Sequence, residues 1–223
     1  MIKYIQKLFG PFNQYTYFIG PNPKTSINKS ICPTIHSSVF ISPFSSIIGD
    51  ITINQNVFIA CNVVLRADEG SPFYIGYNTN IQDGVIFHGL AKQYVTVKNK
   101  RYSIYVGDNI SCAHGCVIHG PCFIGDNCFV GVRAVIFDAV IKEGCFIGTG
   151  AIVTNGVLVE ANRYIPAGAI IDTQDKADLL GHVPHDKQEF SKEVVGVNTE
   201  FPNSYSLMFG DNRCSCGLSF KKR

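Results

Sequence analysis

At 223 residues with 46% hydrophobic residues, the chain can bury one substantial core without help from disulfides. A formal net charge of +2 and 16% charged residues leave no basic stripe, and no helix-turn-helix or aromatic RNA-binding motif is present, so nucleic acid is excluded as a partner. No apolar run is long enough to span a bilayer, and Met1 to Gly20 is broken by Lys3, Gln6, Lys7, Gly10, Pro11 and Asn13, which predicts a soluble cytoplasmic protein with no secretory signal and no membrane partner.

Residues 1–34 contain Pro11, Pro21, Pro23 and Pro33 and read as an irregular arm. Residues 35–171 then follow a six-residue step. Ile35, Ile41, Ile47, Ile53, Ile59 and Leu65 keep it; Ile75, Ile81 and Phe87 resume it, followed by Val106, Cys112, Ile118, Ile124, Val130 and Ile136 and by Ile141 through Ile171. Neither an amphipathic helix nor a simple alternating strand repeats in this way, whereas a hexapeptide structural repeat does. A small or apolar residue stands two places before many of these, as at Val57, Val63, Cys116, Cys122, Cys128, Ala134, Cys145 and Ala151, so both positions can face inward along one short strand. Three places after them come residues that tolerate a left-handed turn: Asp50, Asn56, Asn62, Asn78, Gly84, Asn109, Gly115, Asn127, Gly144, Gly150, Gly156, Asn162 and Gly168. The roughly twenty repeats, three to a triangular coil, give about seven coils stacked at strand spacing, a prism on the order of 33 Å long.

Leu90 to Tyr102 breaks the step and reads as a loop. Residues 172–201 supply a linker and a C-terminal helix, in which Phe190, Val194, Val197 and Phe201 follow Pro184 at helical spacing and would lie against the prism. Residues 202–223 form a polar tail carrying Cys214 and Cys216. Nine cysteines is an odd number, and Cys116, Cys122, Cys128 and Cys145 fall in inward slots where a thiol fills space, as suits a reducing compartment.

The register also aims the histidines. His88 and His119 each follow an inward residue, and His114 lies two places after one, so all three face outward. Thirty-one residues, one coil plus the loop, separate His88 from His119, which stacks them on one face; the same interval pairs Asp83 with His114 on the neighbouring face. One chain offers two histidines to an ion, and His114 of a second subunit would complete a three-histidine site in a cyclic trimer. A Cys/His site built from Cys112, His114 and Cys116 is disfavoured, because the cysteines point inward and the histidine outward.

The motifs Arg66-Ala-Asp68-Glu69-Gly70, Asn80-Ile-Gln82-Asp83-Gly84-Val-Ile-Phe-His88-Gly89 and Ala113-His114-Gly-Cys-Val-Ile-His119-Gly120-Pro121, with Tyr164-Ile-Pro166-Ala-Gly168 and Val194-Val-Gly-Val-Asn198, resemble those of the γ-class carbonic anhydrases over roughly residues 35–200. The short link between His88 and His114 is most similar to the subgroup that includes the N-terminal domain of the carboxysome protein CcmM. The resemblance implies an all-β fold, a left-handed parallel β-helix of hexapeptide repeats with a C-terminal α-helix packed alongside. It also implies a homotrimer holding Zn2+, or Fe2+, on His88 and His119 of one subunit and His114 of the next. Such an ion with one open position lowers the pKa of water toward 7, and the hydroxide converts carbon dioxide to bicarbonate. By the same resemblance Glu69 is the acid that accepts the departing proton, Gln82 positions that carboxylate and the bound ligand, and Asn198 is an active-site asparagine on the helix. Arg66, Asp68 and Asp83 tie subunits together and shape the site.

Two departures stand out. The Leu90–Tyr102 loop contains no Glu or Asp, where the prototype enzymes carry an acidic shuttle, so proton export falls to water or an external base. RuBisCO small-subunit-like repeats are absent from this sequence, so carboxysome assembly through them is not expected. Two other functions use the same fold: a weakly active anhydrase-like metal-binding trimer with an assembly role, and a hexapeptide-repeat acyltransferase, which needs one basic histidine and no metal.

Overall fold

Alternate residues of each short strand point inward, and because every sixth residue is aliphatic these positions close an apolar column rather than line one face of an open sheet. The computed structural model describes residues 17–209. The chain winds as a left-handed parallel β-helix with three faces. The first face stacks eight strands, from Tyr17–Gly20 through Ser45–Gly49, Val64–Ala67 and Ile86–Gly89 to Ile170–Ile171. The second runs from Thr34–Ile35 to Val157–Val159 and the third from Phe40–Ile41 to Tyr164–Ile165, seven strands each. Two long strands, Val117–Ile124 and Val135–Ile141, bend from the first face onto the second, and their pairing register shifts after His119.

The interior is the column that the six-residue step predicts. Ile47, Leu65, Phe87, Ile118, Ile136 and Ile147 are fully buried, and Ile35, at the first coil, is the one stepped residue left half-buried. Cys112, Cys116, Cys122, Cys128 and Cys145 fill the same column as free thiols, and burial pushes the Cys122 thiol well up. Cys214 and Cys216 lie outside the described residues. Ile147→Ala is expected to cost about 2–5 kcal/mol of stability, the usual result of a cavity in a column with no room to collapse, measured by urea denaturation.

The corners are made by left-handed residues: Asn56, Asn62, Asn78, Asn109, Asn127 and Asn162 have φ between 53° and 59°. Asp50 is the exception among the expected turn residues. There Gly49 takes the turn with φ 93°, since a Cβ on it would lie 2.4 Å from the Ala67 carbonyl oxygen.

Three expectations need correction. The arm is not irregular throughout, because Tyr17–Gly20 pairs in parallel with Ser45–Ile48 and forms the first rung, its inward Ile19 buried and Phe18 exposed; residues before it lie outside the described ones. Within the Leu90–Tyr102 loop, Val95–Val97 and Lys100–Tyr102 form a two-stranded hairpin whose turn residues, Lys98 and Asn99, both have positive φ, the geometry that matches strand twist. The terminal helix spans His185–Phe209 rather than stopping at residue 201. It runs through Pro202 because Tyr205 continues the buried stripe, with its ring 5.2 Å from Phe40 and 5.3 Å from Phe58.

That helix covers the third face. Phe201 and Tyr205 pack on Phe40, Phe58 and Ala60, while Val194 joins Phe129, Phe146 and Val183. Val197, expected on this stripe, is 55% exposed, and Asn198 takes the inward place. At the far end the short helix Gln174–Asp178 seats Ala177 against the core, with Leu180 beside it. No helix among the described residues is long and apolar enough to cross a membrane.

Candidate metal centre

Strands Ile86–Gly89 and Val117–Ile124 are neighbours on the first face, and their register sets His88 opposite His119. Their side chains converge, with His88 Nδ1 3.2 Å from His119 Nε2. His119 Nδ1 donates to the Gly120 carbonyl oxygen at 3.1 Å, which leaves the lone pair of Nε2 facing His88. His88 Nε2 lies 3.4 Å from Asp68 Oδ1 and 3.8 Å from Glu69 Oε2. The His119 Nε2 lone pair accepts a hydrogen bond from His88 Nδ1, and the same convergence of the two rings would let them turn their nitrogens to one cation. The separation matches the roughly 3.3 Å expected between two nitrogens bound tetrahedrally to one zinc.

The surroundings suit neutral ligands. Burial, then Arg66 and then His119 hold the His88 imidazole below its ordinary pKa, against the opposing pull of Asp68 and Glu69. A metal ligand must be deprotonated, so this environment favours the binding form. His88 Nε2 and Asp68 Oδ1 are both buried without a hydrogen bond, and a buried pair of this kind requires a further partner. The residues therefore fit a divalent ion. Phe137, one 18-residue coil beyond His119 and paired with it in the next strand, sets its ring edge-on to the His119 imidazole at 4.9 Å. Counting one coil forward from His119 would have found it.

His114 does not join this pair. It lies at the turn leading into Val117–Ile124, exposed, with Nδ1 3.0 Å from Asp83 Oδ2. The carboxylate holds the proton on Nδ1 and frees Nε2 to point away from the prism. Among the described residues no group of three or more His, Cys, Asp or Glu side chains within one chain is placed to hold a metal ion. Cys112 and Cys116 are fully buried, and they face the core while His114 faces out.

The remaining expected residues, Asn198 apart, divide between the two edges of the first face. Arg66 donates to Asp68 Oδ2 at 2.9 Å, and Glu69, half-exposed, accepts from the Ala91 amide at 3.3 Å; both sit with His88. Gln82 does not meet Glu69 within the chain. Its amide donates to Asn80 Oδ1 at 3.1 Å, which puts it at the corner of Asp83 and His114. Asn198 is buried beneath the helix and donates to the Val194 carbonyl at 2.8 Å, apart from the histidine pair. Sequence reasoning missed the Ala91 amide, and it missed Asn28, which binds the carbonyls of Asp68 and Glu69.

Over 200 residues the chain is 34% identical to the carbonic anhydrase of Methanosarcina thermophila, covering 84% of this chain and 81% of that one. The chain belongs to the γ-class carbonic anhydrase family. It is also 43% identical over 198 residues to the carboxysome assembly protein CcmM of Nostoc sp., covering 88% of this chain and 35% of that relative. The chain thus spans about a third of that relative's length. A hexapeptide transferase family protein from Anaplasma phagocytophilum shares the fold of this γ-class chain, with a TM-score of 0.65, 24% identity and coverage of 78% of this chain and 93% of the other. No family model matches the chain.

Proposed function

We propose that this chain is a metal-dependent carbonic anhydrase that hydrates carbon dioxide reversibly at sites shared between the subunits of a homotrimer. The observation that carries the reading is the His88–His119 pair at 3.2 Å, with Asp68 and Glu69 alongside and the third histidine, His114, exposed at the other edge of the face. His88 and His119 of one subunit and His114 of the next would hold Zn2+ or Fe2+. The ion supplies Lewis acidity that makes water a nucleophile near neutral pH. Glu69 takes up the proton released, while Arg66 and Asp68 hold the acidic edge in place. Gln82, beside His114, belongs to the half of the site that the next subunit brings.

The outer surface of the first face supports association. Val64, Ile86, Val117, Val135, Ile152 and Ile170 stand in register as one apolar column along the prism, with Ile86 41% and Ile170 51% exposed. An apolar stripe of this length beside the histidines is the surface a second copy would bury.

Stopped-flow hydration of carbon dioxide by protein loaded with zinc or iron(II) tests the reading. The hairpin region Leu90–Tyr102 carries no carboxylate, so turnover at saturating substrate is expected to rise with buffer concentration as external base carries the proton away. No hydration by either metal form would overturn the enzymatic reading and favour a metal-binding trimer with an assembly role, the role in the name of the Nostoc relative.

A further inference from the structure

The bend that presents Glu69 is held from outside the repeating coil. Residues 22–31 form a loop closed on Asn22, which is buried: its Oδ1 accepts from the Ile31 amide at 3.0 Å, and its Nδ2 donates to the carbonyls of Lys29 at 2.9 Å and Pro23 at 3.0 Å. Ser30 adds a hydroxyl bond to the Asn22 carbonyl at 2.8 Å. Within the loop, Thr25 Oγ1 accepts from the Asn28 amide at 3.1 Å, and the Thr25 amide donates to the Asn28 carbonyl at 3.0 Å. These two Thr25 bonds, made to Asn28 itself, fix the direction of the Asn28 side chain.

That side chain spends both of its N–H donors on two successive carbonyls, those of Asp68 at 2.9 Å and Glu69 at 2.7 Å. The next residue is anchored from the other side, since the Gly70 amide donates to the Gly89 carbonyl at 2.9 Å. Gly70 is pressed so closely there that a Cβ would meet Gly89 and Leu90 backbone at 2.6 Å. The Glu69 carboxylate takes the Ala91 amide. Backbone carbonyls before the bend, the amide after it and the carboxylate itself are each tied to a different segment, and the Asn28 tie comes from 40 and 41 residues earlier in the chain.

We propose that Asn28 is the positioning residue for Glu69, its amide clamping the Asp68–Glu69 bend so that the carboxylate is held beside His88. This rests on the reading of Glu69 as the proton acceptor. Releasing the clamp lets the bend relax toward solvent, and displacement of a reacting group by about 1 Å costs up to 100-fold in rate.

The test compares Asn28→Ala and Asn28→Asp, the second isosteric but unable to donate, with Ser30→Ala as a control that alters the same loop without touching the bend. Amide hydrogen exchange by mass spectrometry, on metal-free and metal-loaded protein, is expected to quicken about tenfold at residues 68–71 in both Asn28 variants and to stay unchanged in Ser30→Ala. In hydration assays both Asn28 variants should lose about 10- to 100-fold in kcat, with KM and metal content unchanged. Unaltered exchange at the bend overturns the clamp. Faster exchange with full kcat, in an active wild-type background, overturns the positioning role. If metal-loaded wild-type protein hydrates no carbon dioxide, the anhydrase reading falls and the positioning role with it, while faster exchange still establishes the clamp.

Discussion

Replacing His114 by alanine is expected to strip metal from every site of the assembly, although His88 and His119 remain paired in each subunit. The pair alone offers two nitrogens 3.2 Å apart, and in the proposed site the third would come from His114 of another subunit, exposed and held through Nδ1 by Asp83. Losing a partner of a ligand typically costs 10- to 100-fold in metal affinity, so losing a ligand outright should cost more than about 100-fold. Asp83→Asn provides the graded comparison, since it keeps His114 but weakens the carboxylate that sets its proton at 3.0 Å, with an expected loss of about 10- to 100-fold. Elemental analysis of purified His114→Ala protein checks the first expectation, and light scattering checks that the variant keeps the oligomeric state of the unaltered protein, a trimer in the proposed reading. Complementation separates a shared site from a site within one chain. Mixed trimers of His88→Ala and His114→Ala subunits contain some sites whose three histidines are all intact, so metal binding and activity should return in the mixture though neither parent has them. Full metal occupancy in His114→Ala alone would end the shared-site reading.

The parts of this arrangement that were legible beforehand are those tied to the repeat. A strand period of two and a coil of three hexapeptides make Ile118 inward and His119 outward without any knowledge of contacts. The interval of 31 residues then stacks His88 on His119 and Asp83 on His114, and both contacts are present. Even the Leu90–Tyr102 insertion does not disturb this count, because it leaves and rejoins the coil at the same corner, although its hairpin was invisible to a rule that looked only for the six-residue step. Asn28 was not legible for the opposite reason. Its partners follow no period, and an asparagine in a Pro-containing loop is by default a turn residue. The helix face was misjudged by one position at Val197, since apolar spacing favours the valine, whereas the buried position is held by Asn198 with its amide satisfied inside the helix. Gln82 illustrates a further limit: its role beside Glu69 was carried by resemblance, and within one chain the two stand on opposite edges of the first face.

Glu69→Gln isolates the proton from everything else in the site. The amide has nearly the same volume, its oxygen can still accept from the Ala91 amide, and the backbone bend remains under Asn28, so fold, trimer and metal content should all be retained. What disappears is the carboxylate proposed to accept the proton, and the neighbours do not replace it. Asp68 is committed to Arg66 at 2.9 Å, and His88 faces its partner histidine. General-base assistance is usually worth about 10²–10⁴ in rate, and kcat is expected to fall within that range. The loss should be partly reversible, because the hairpin beside the site is free of carboxylates and leaves Glu69 half-exposed, so a small external base such as imidazole can reach the same position. Turnover of Glu69→Gln should therefore rise with imidazole concentration by a larger factor than turnover of the unaltered protein. Unchanged turnover at normal metal content would remove Glu69 from the mechanism and leave the Asp68–His88 edge to be tested as the proton's first destination.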